Sequence, residues 1–190
     1  MAHVPPLGLS LEEVRRELDR IRHPFRLAIR RAKNPFNVGA ILRTAHSFLP
    51  REIVLIGTEP FYERAAMGMH RFEHLREVES EEAFVALARA EGWTISALEK
   101  EHAGASLWEA ALPDGCVIVV GNEEDGVGEI ILEAAAETIA IPMFGLNHSY
   151  PMTAAAAMAL SEWARRRYAG PGRVVVTPAD PRLPRGRSPL

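Results

Sequence analysis

The sequence predicts an α/β fold, a mainly parallel sheet with helices on both faces. Three observations predict it. Short apolar runs alternate with segments of helical period along most of the chain; polar, Gly-containing turns follow several of those runs; and the composition, 47% hydrophobic and 25% charged over 190 residues, suits one globular domain. In such folds the ligand crevice lies at the carboxyl ends of the strands.

Ser10 and Glu13 form a capping box, and Leu11, Val14, Leu18 and Ile21 repeat at helical spacing, which predicts an amphipathic basic helix to about Arg22. His23-Pro24 should end it. A buried strand is expected at 25–29, a helix at 38–48, a strand at 53–57 and a helix at 81–91. Strands at 94–98 and 117–120, a helix at 127–136, a strand at 138–141 and a helix at 153–168 complete the alternation. The segment 60–74, with Arg64, Met67, Gly68, Met69, His70 and Arg71, has little periodicity and reads as a mobile or substrate-facing loop. The organisation is a basic helix at 1–23, one domain at 24–169, and a Pro/Arg-rich tail at 170–190 in which 174–176 adds an edge strand.

Cys116 is the only cysteine, so there is neither an intrachain disulfide nor a cysteine metal cluster, and a core position in a reducing compartment is expected. No run is long and apolar enough to span a bilayer, and the N-terminus lacks the pattern of a signal peptide; the expected location is cytoplasmic, with no membrane partner. The net charge of -3 is unevenly spread. Residues 1–51 carry ten Lys/Arg against four Asp/Glu, residues 161–190 carry seven against two, and the middle carries five against nineteen. Twenty of the 22 cations are arginine, which suits phosphate contact or, equally, solvated helix faces.

Three segments at expected strand-to-helix turns carry chemistry. In NPFNVGAILRTA, Asn37 is placed to cap a helix, Gly39 permits close approach, and Arg43 follows nearly two turns later; the plain alternative is an ordinary cap and a surface arginine. In VVGNEEDGV, Gly121 and Gly126 bracket Asn122, Glu123, Glu124 and Asp125. Those carboxylates disfavour phosphate and suit a hydroxyl or amine, and neither the P-loop nor the dinucleotide pattern is present. In IPMFGLNHSYPMTAAAA, a strand runs into a polar loop and an Ala-rich helix, with His148 a candidate base or simply a solvated loop residue.

Together, in this order, the three motifs resemble the SPOUT methyltransferase superfamily in its SpoU/TrmH-type branch of RNA ribose 2'-O-methyltransferases, over about residues 25–167. The resemblance implies a C-terminal deep trefoil knot at about 117–167, S-adenosylmethionine as cofactor, a homodimer, tRNA or rRNA as partner, and no metal. It implies Arg43, Asn37, Glu123 and Ser149 as catalytic residues. It also implies Leu98, Gly121, Asn122, Gly126, Ile141, Met143, Gly145, Ser149 and Tyr150 as cofactor-binding residues. Where that family's third motif reads Ser-Leu-Asn-Val-Ser, this chain has Ser149-Tyr150-Pro151-Met152-Thr153, exchanging an amide for a residue without a donor. Three functions follow as expectations: the methyltransferase, with ribose or another atom as its target; an RNA-binding paralogue that methylates poorly; and an unrelated doubly wound small-molecule enzyme.

Overall fold

The computed structural model describes residues 8–167. The expected tail at 170–190, the edge strand at 174–176 and the end of the last helix at Tyr168 lie outside the described residues. The chain runs α1 (Leu11–Asp19), β1 (His23–Arg30), α2 (Pro35–His46), β2 (Pro50–Ile56), two 3₁₀ turns (Glu63–Ala66 and Met69–Phe72), β3 (Leu75–Val78) and α3 (Glu81–Ala90). It continues with β4 (Ile95–Leu98), β5 (Ala105–Ser106), β6 (Val117–Val120), α4 (Glu129–Ala134), β7 (Glu137–Ala140) and α5 (Met152–Arg167).

All seven strands form one sheet in the order β3-β2-β1-β6-β4-β7-β5, and every pairing is parallel. The central strand β6 is Val-Ile-Val-Val with all four residues buried, because a parallel strand covered on both faces has no polar side to present. Ile118 and Val120 join Leu27, Ile29, Leu55 and the inner faces of α2 and α5 in one core. Val117 and Val119 point the other way, to α3 and α4 with Val54, Ala97, Phe84 and Ile131. Along α5, Met152, Ala156, Ala159, Leu160 and Trp163 recur at helical spacing and are buried, with the Trp163 ring 4.3 Å from that of Phe25.

Several expectations change. The capping box forms as read, but α1 stops at Asp19, because Arg22 is drawn inward: its side chain is 5% exposed and bonds Glu73, Asp19 and the carbonyls of Pro50 and Phe72. Arg15 donates to the Arg71 carbonyl in the turn before β3, while Arg20 pairs with Glu17 of the helix itself. The segment 60–74, expected as a mobile or substrate-facing loop, holds both 3₁₀ turns, with Ala65 and Ala66 buried. The short edge strands β3 and β5 had no apolar run to announce them. The helix expected at 127–136 begins only at Glu129, because Gly128 has φ +94° and a side chain there would collide with the Glu81 carboxylate.

Candidate active site

The carboxyl ends of β4, β6 and β7 open into one cavity of about 460 Å³, within the usual size range for small-molecule sites. The loop after β6 forms its floor. A Cβ on Gly121 would collide with the backbone of Gly126, so the loop closes only if this residue is glycine. Asn122 and Gly126 exchange backbone hydrogen bonds of 3.0 and 3.2 Å. The Asn122 side chain is fully engaged: its Oδ1 accepts from the amides of Glu124 and Asp125, and its Nδ2 donates to the Arg31 carbonyl. Asn122 thus shapes the pocket with its amide.

The apolar wall comes from Leu98, Ile139, Ile141, Met143, Met152 and Ala155. Five carboxylates line the rim, Glu99, Glu101, Glu123, Glu124 and Asp125, against the single cation Lys100. Some are offset: Glu124 pairs with Lys33 at 2.8 Å, Asp125 lies 3.6 Å from Arg30, and Glu99 accepts from two backbone amides. The rim still favours a cationic ligand over a phosphate. The loop 141–151 is tied to the segment after β4 by the bond from Lys100 Nζ to the His148 carbonyl and closed on itself by the bond from Tyr150 Oη to the Pro142 carbonyl at 3.1 Å.

The predicted residues divide clearly. Leu98, Gly121, Asn122, Gly126, Ile141, Met143, Ser149 and Tyr150 all line the cavity, as does Glu123; Gly145 does not, and it stands in solvent between exposed Phe144 and Leu146. Asn37 is not the cap of α2. That is Asn34, whose side chain accepts from the Phe36 amide at 3.1 Å while Pro35 takes the first helical position. Asn37, in the first turn, instead donates to Glu123 Oε1, which joins the first motif to the second. Arg43 is exposed on α2, away from the cavity lining, with no hydrogen-bond or ion-pair partner among the described residues.

Pro151 immediately precedes α5, is exposed, and accepts from the amides of Ala154 and Ala155 with its carbonyl; it does not line the cavity. The side chain of His148 is exposed and makes no hydrogen bond among the described residues. Sequence reasoning missed Glu99, Lys100, Ile139, Met152 and Ala155. Position alone could have found Glu99 and Lys100, which follow directly on β4 as Gly121 follows β6. Burial pushes the Cys116 thiol up to about 12, as suits a core residue. Among the described residues no group of three His, Cys, Asp or Glu is placed to hold a metal, and no helix is long and apolar enough to cross a membrane.

The profile of the SpoU rRNA Methylase family matches residues 24–161. A tRNA (guanosine(18)-2'-O)-methyltransferase of Thermus thermophilus is 30% identical over 161 residues, 80% of each chain. The crystal structure of an A. aeolicus TrmH/SpoU tRNA modifying enzyme superposes with a TM-score of 0.72 at 25% identity, covering 84% of this chain and 85% of the other. An AdoMet-bound rRNA methyltransferase from Sinorhizobium meliloti superposes with a TM-score of 0.68 at 28% identity, covering 78% and 60%. The chain spans 64% and 38% of the length of two further curated relatives that it matches. With the family profile covering the sheet, the cavity and most of α5, the chain belongs to the SpoU rRNA methylase family.

Proposed function

We propose that this chain is an S-adenosylmethionine-dependent RNA methyltransferase that modifies a ribose 2'-hydroxyl of tRNA or rRNA in the cytoplasm. One observation carries the reading: a single cavity is lined by the second and third motifs, and the Asn37–Glu123 hydrogen bond joins the first motif to it. The Thermus relative bears the name of such an enzyme, and the Sinorhizobium structure is AdoMet-bound.

The cavity suits the cofactor. Gly121 and Gly126 leave backbone exposed where side chains would intrude, Leu98, Ile141 and Met143 offer an apolar wall, and the carboxylate rim suits a ligand carrying a sulfonium and an ammonium. When bound, the cofactor supplies a methyl group already activated by the sulfonium, so that positioning and loss of the hydroxyl proton remain for the protein. In this reading Leu98, Gly121, Gly126, Ile141, Met143, Ser149 and Tyr150 hold the cofactor, while Asn122 keeps the loop in shape. Glu123 is held by Asn37, and Ser149 lines the cavity. Arg43, too weak a base to act by itself, orients the ribose by gripping an RNA phosphate.

The proposal includes a homodimer, since Arg43 lies outside the cavity of its own chain. It also includes a deep trefoil knot at about 117–167. Its support is the chain path, since β7 lies on the far side of β4 from β6 whereas α5 returns to pack on α2 and β6. A second reading, an RNA-binding paralogue with weak catalysis, is favoured by Pro151 alone.

Calorimetry with S-adenosylmethionine should give a dissociation constant in the micromolar range, and the absence of heat well above it would sink the methyltransferase reading. Incubation of bulk RNA with the tritiated cofactor should leave label at linkages that resist alkali, whereas labelled but alkali-labile linkages would place the methyl on a base. Arg43→Ala should abolish transfer while leaving cofactor affinity intact; retained turnover removes Arg43 from the chemistry.

A further inference from the structure

Three of the large apolar side chains open to solvent, Phe36, Tyr62 and Met67, gather where α2 meets the first 3₁₀ turn. The Phe36 and Tyr62 rings are 54% and 43% exposed in residue terms, stand 6.0 Å apart and are nearly parallel, with an interplanar angle of 24°. Their backbones are locked. The Tyr62 amide donates to the Pro35 carbonyl at 2.9 Å, and Gly39 brings α2 so close that a Cβ there would lie 2.5 Å from the Tyr62 carbonyl oxygen. Phe36, Gly39 and Arg43 follow at i, i+3 and i+7, so all three share the helix face turned to this 3₁₀ turn. Arg43 and Arg64 are exposed and have no anionic partner among the described residues, while the nearby Glu63 lies 3.7 Å from His70.

An exposed, preformed pair of aromatic faces beside unneutralised arginines is what a single-stranded nucleotide needs: a π surface for the base and cations for its phosphates. A copy-to-copy interface centred on this pair would instead require about 800 Å² per partner with charge depleted at the centre, which three side chains rimmed by free arginines do not offer, so the proposed homodimer is not centred here.

We infer that the Phe36–Tyr62 pair is a stacking platform for an unpaired base of the substrate RNA, flanking the nucleotide presented to Arg43. The inference rests on the methyltransferase reading above, and it assigns RNA positioning to residues outside the cavity. Phe36→Leu with Tyr62→Leu keeps apolar bulk and removes the π faces. In the full chain this double variant should bind a fluorescein-labelled unstructured RNA oligonucleotide about tenfold more weakly. The salt dependence should keep its slope, since no phosphate contact is lost. S-adenosylmethionine affinity should be unchanged, KM for total tRNA should rise with kcat held, and Phe36→Tyr should behave as the unmodified protein. Unchanged RNA affinity and KM in the double variant, with the unmodified protein still transferring methyl, overturns the platform and leaves the methyltransferase reading standing. A fall in molecular mass by light scattering overturns it in favour of a copy-to-copy contact. An unmodified protein that neither binds the RNA nor methylates tRNA sinks both.

Discussion

Replacing Gly39 by alanine sets two effects of opposite sign against each other. Gly39 lies within α2, where alanine is favoured over glycine by about 1 kcal/mol, so helix propensity alone predicts a more stable protein. The new Cβ, however, would lie 2.5 Å from the Tyr62 carbonyl oxygen and 2.8 Å from the Ala65 Cβ. The first of these neighbours is backbone and cannot rotate away; the turn must move, and overpacking of this kind costs about 3 kcal/mol at the upper end of its usual range. The net expectation is a loss of about 2 kcal/mol, or roughly 4–8 °C in Tm for a domain of this size. Calorimetric melting of Gly39→Ala measures it. A double variant with Ala65→Gly removes the second contact and should recover part of the loss, because residues that touch couple in a double-mutant cycle. An unchanged or raised Tm in the single variant would refute the close approach of α2 to the 3₁₀ turn, and with it the rigidity ascribed to the Phe36–Tyr62 pair.

Two further outcomes follow from the last helix. The Glu162 carboxyl is held down to about 2, from an ordinary 4.5, foremost by a hydrogen bond from Arg165 and further by one from Arg166, against the opposing cost of burial. Its folded pKa being depressed, the stability it supplies is complete above about pH 5 and is lost as pH falls from 4.5 towards 2. Glu162→Gln should therefore cost about 2 kcal/mol by urea unfolding at pH 7, and much less at pH 3; a cost independent of pH would show that the charge is not what matters. Because Pro151 lies outside the cavity, Pro151→Asn should shift cofactor affinity by less than tenfold, measured by calorimetry. A larger shift would place that side chain at the cofactor.

The central sheet was readable because burial on both faces of a parallel strand leaves an uninterrupted apolar run, as in Val117–Val120, and the turn after such a strand is where a site forms. The cavity's backbone residues were readable for the same reason: Gly121 and Gly126 have a steric duty that a glycine in a turn announces. What escaped depends on contacts distant in sequence. Pro35 at the first helical position marks Asn34 locally as the cap of α2, whereas the role of Asn37 is set by Glu123, 86 residues away, which takes its amide as a hydrogen-bond donor. The arginines near the N-terminus suited phosphate contact or solvated helix faces equally, yet Arg22, just past α1, is buried on Glu73, which no helical period reveals. Gly145 carried the pattern of a ligand loop but points away from the cavity, since the loop around it is tied down on either side, at Pro142 and at His148 to Tyr150.

On the proposed reading, the substrate side is built differently from the cofactor side. The cavity proposed for the cofactor is made of strand ends and glycine backbone, which position atoms with little side-chain freedom. Arg43 and the Phe36–Tyr62 pair instead stand on one face of α2 and on a turn locked against it by Gly39, open to solvent and to a large flexible ligand. The Asn37–Glu123 hydrogen bond is the link between the two, because Asn37 shares a helix with Arg43 and Glu123 belongs to the loop under the cavity. Displacing α2 must therefore disturb both sides. Gly39→Ala, which pushes the helix off its turn, should weaken cofactor binding as well as RNA binding, although Gly39 does not line the cavity.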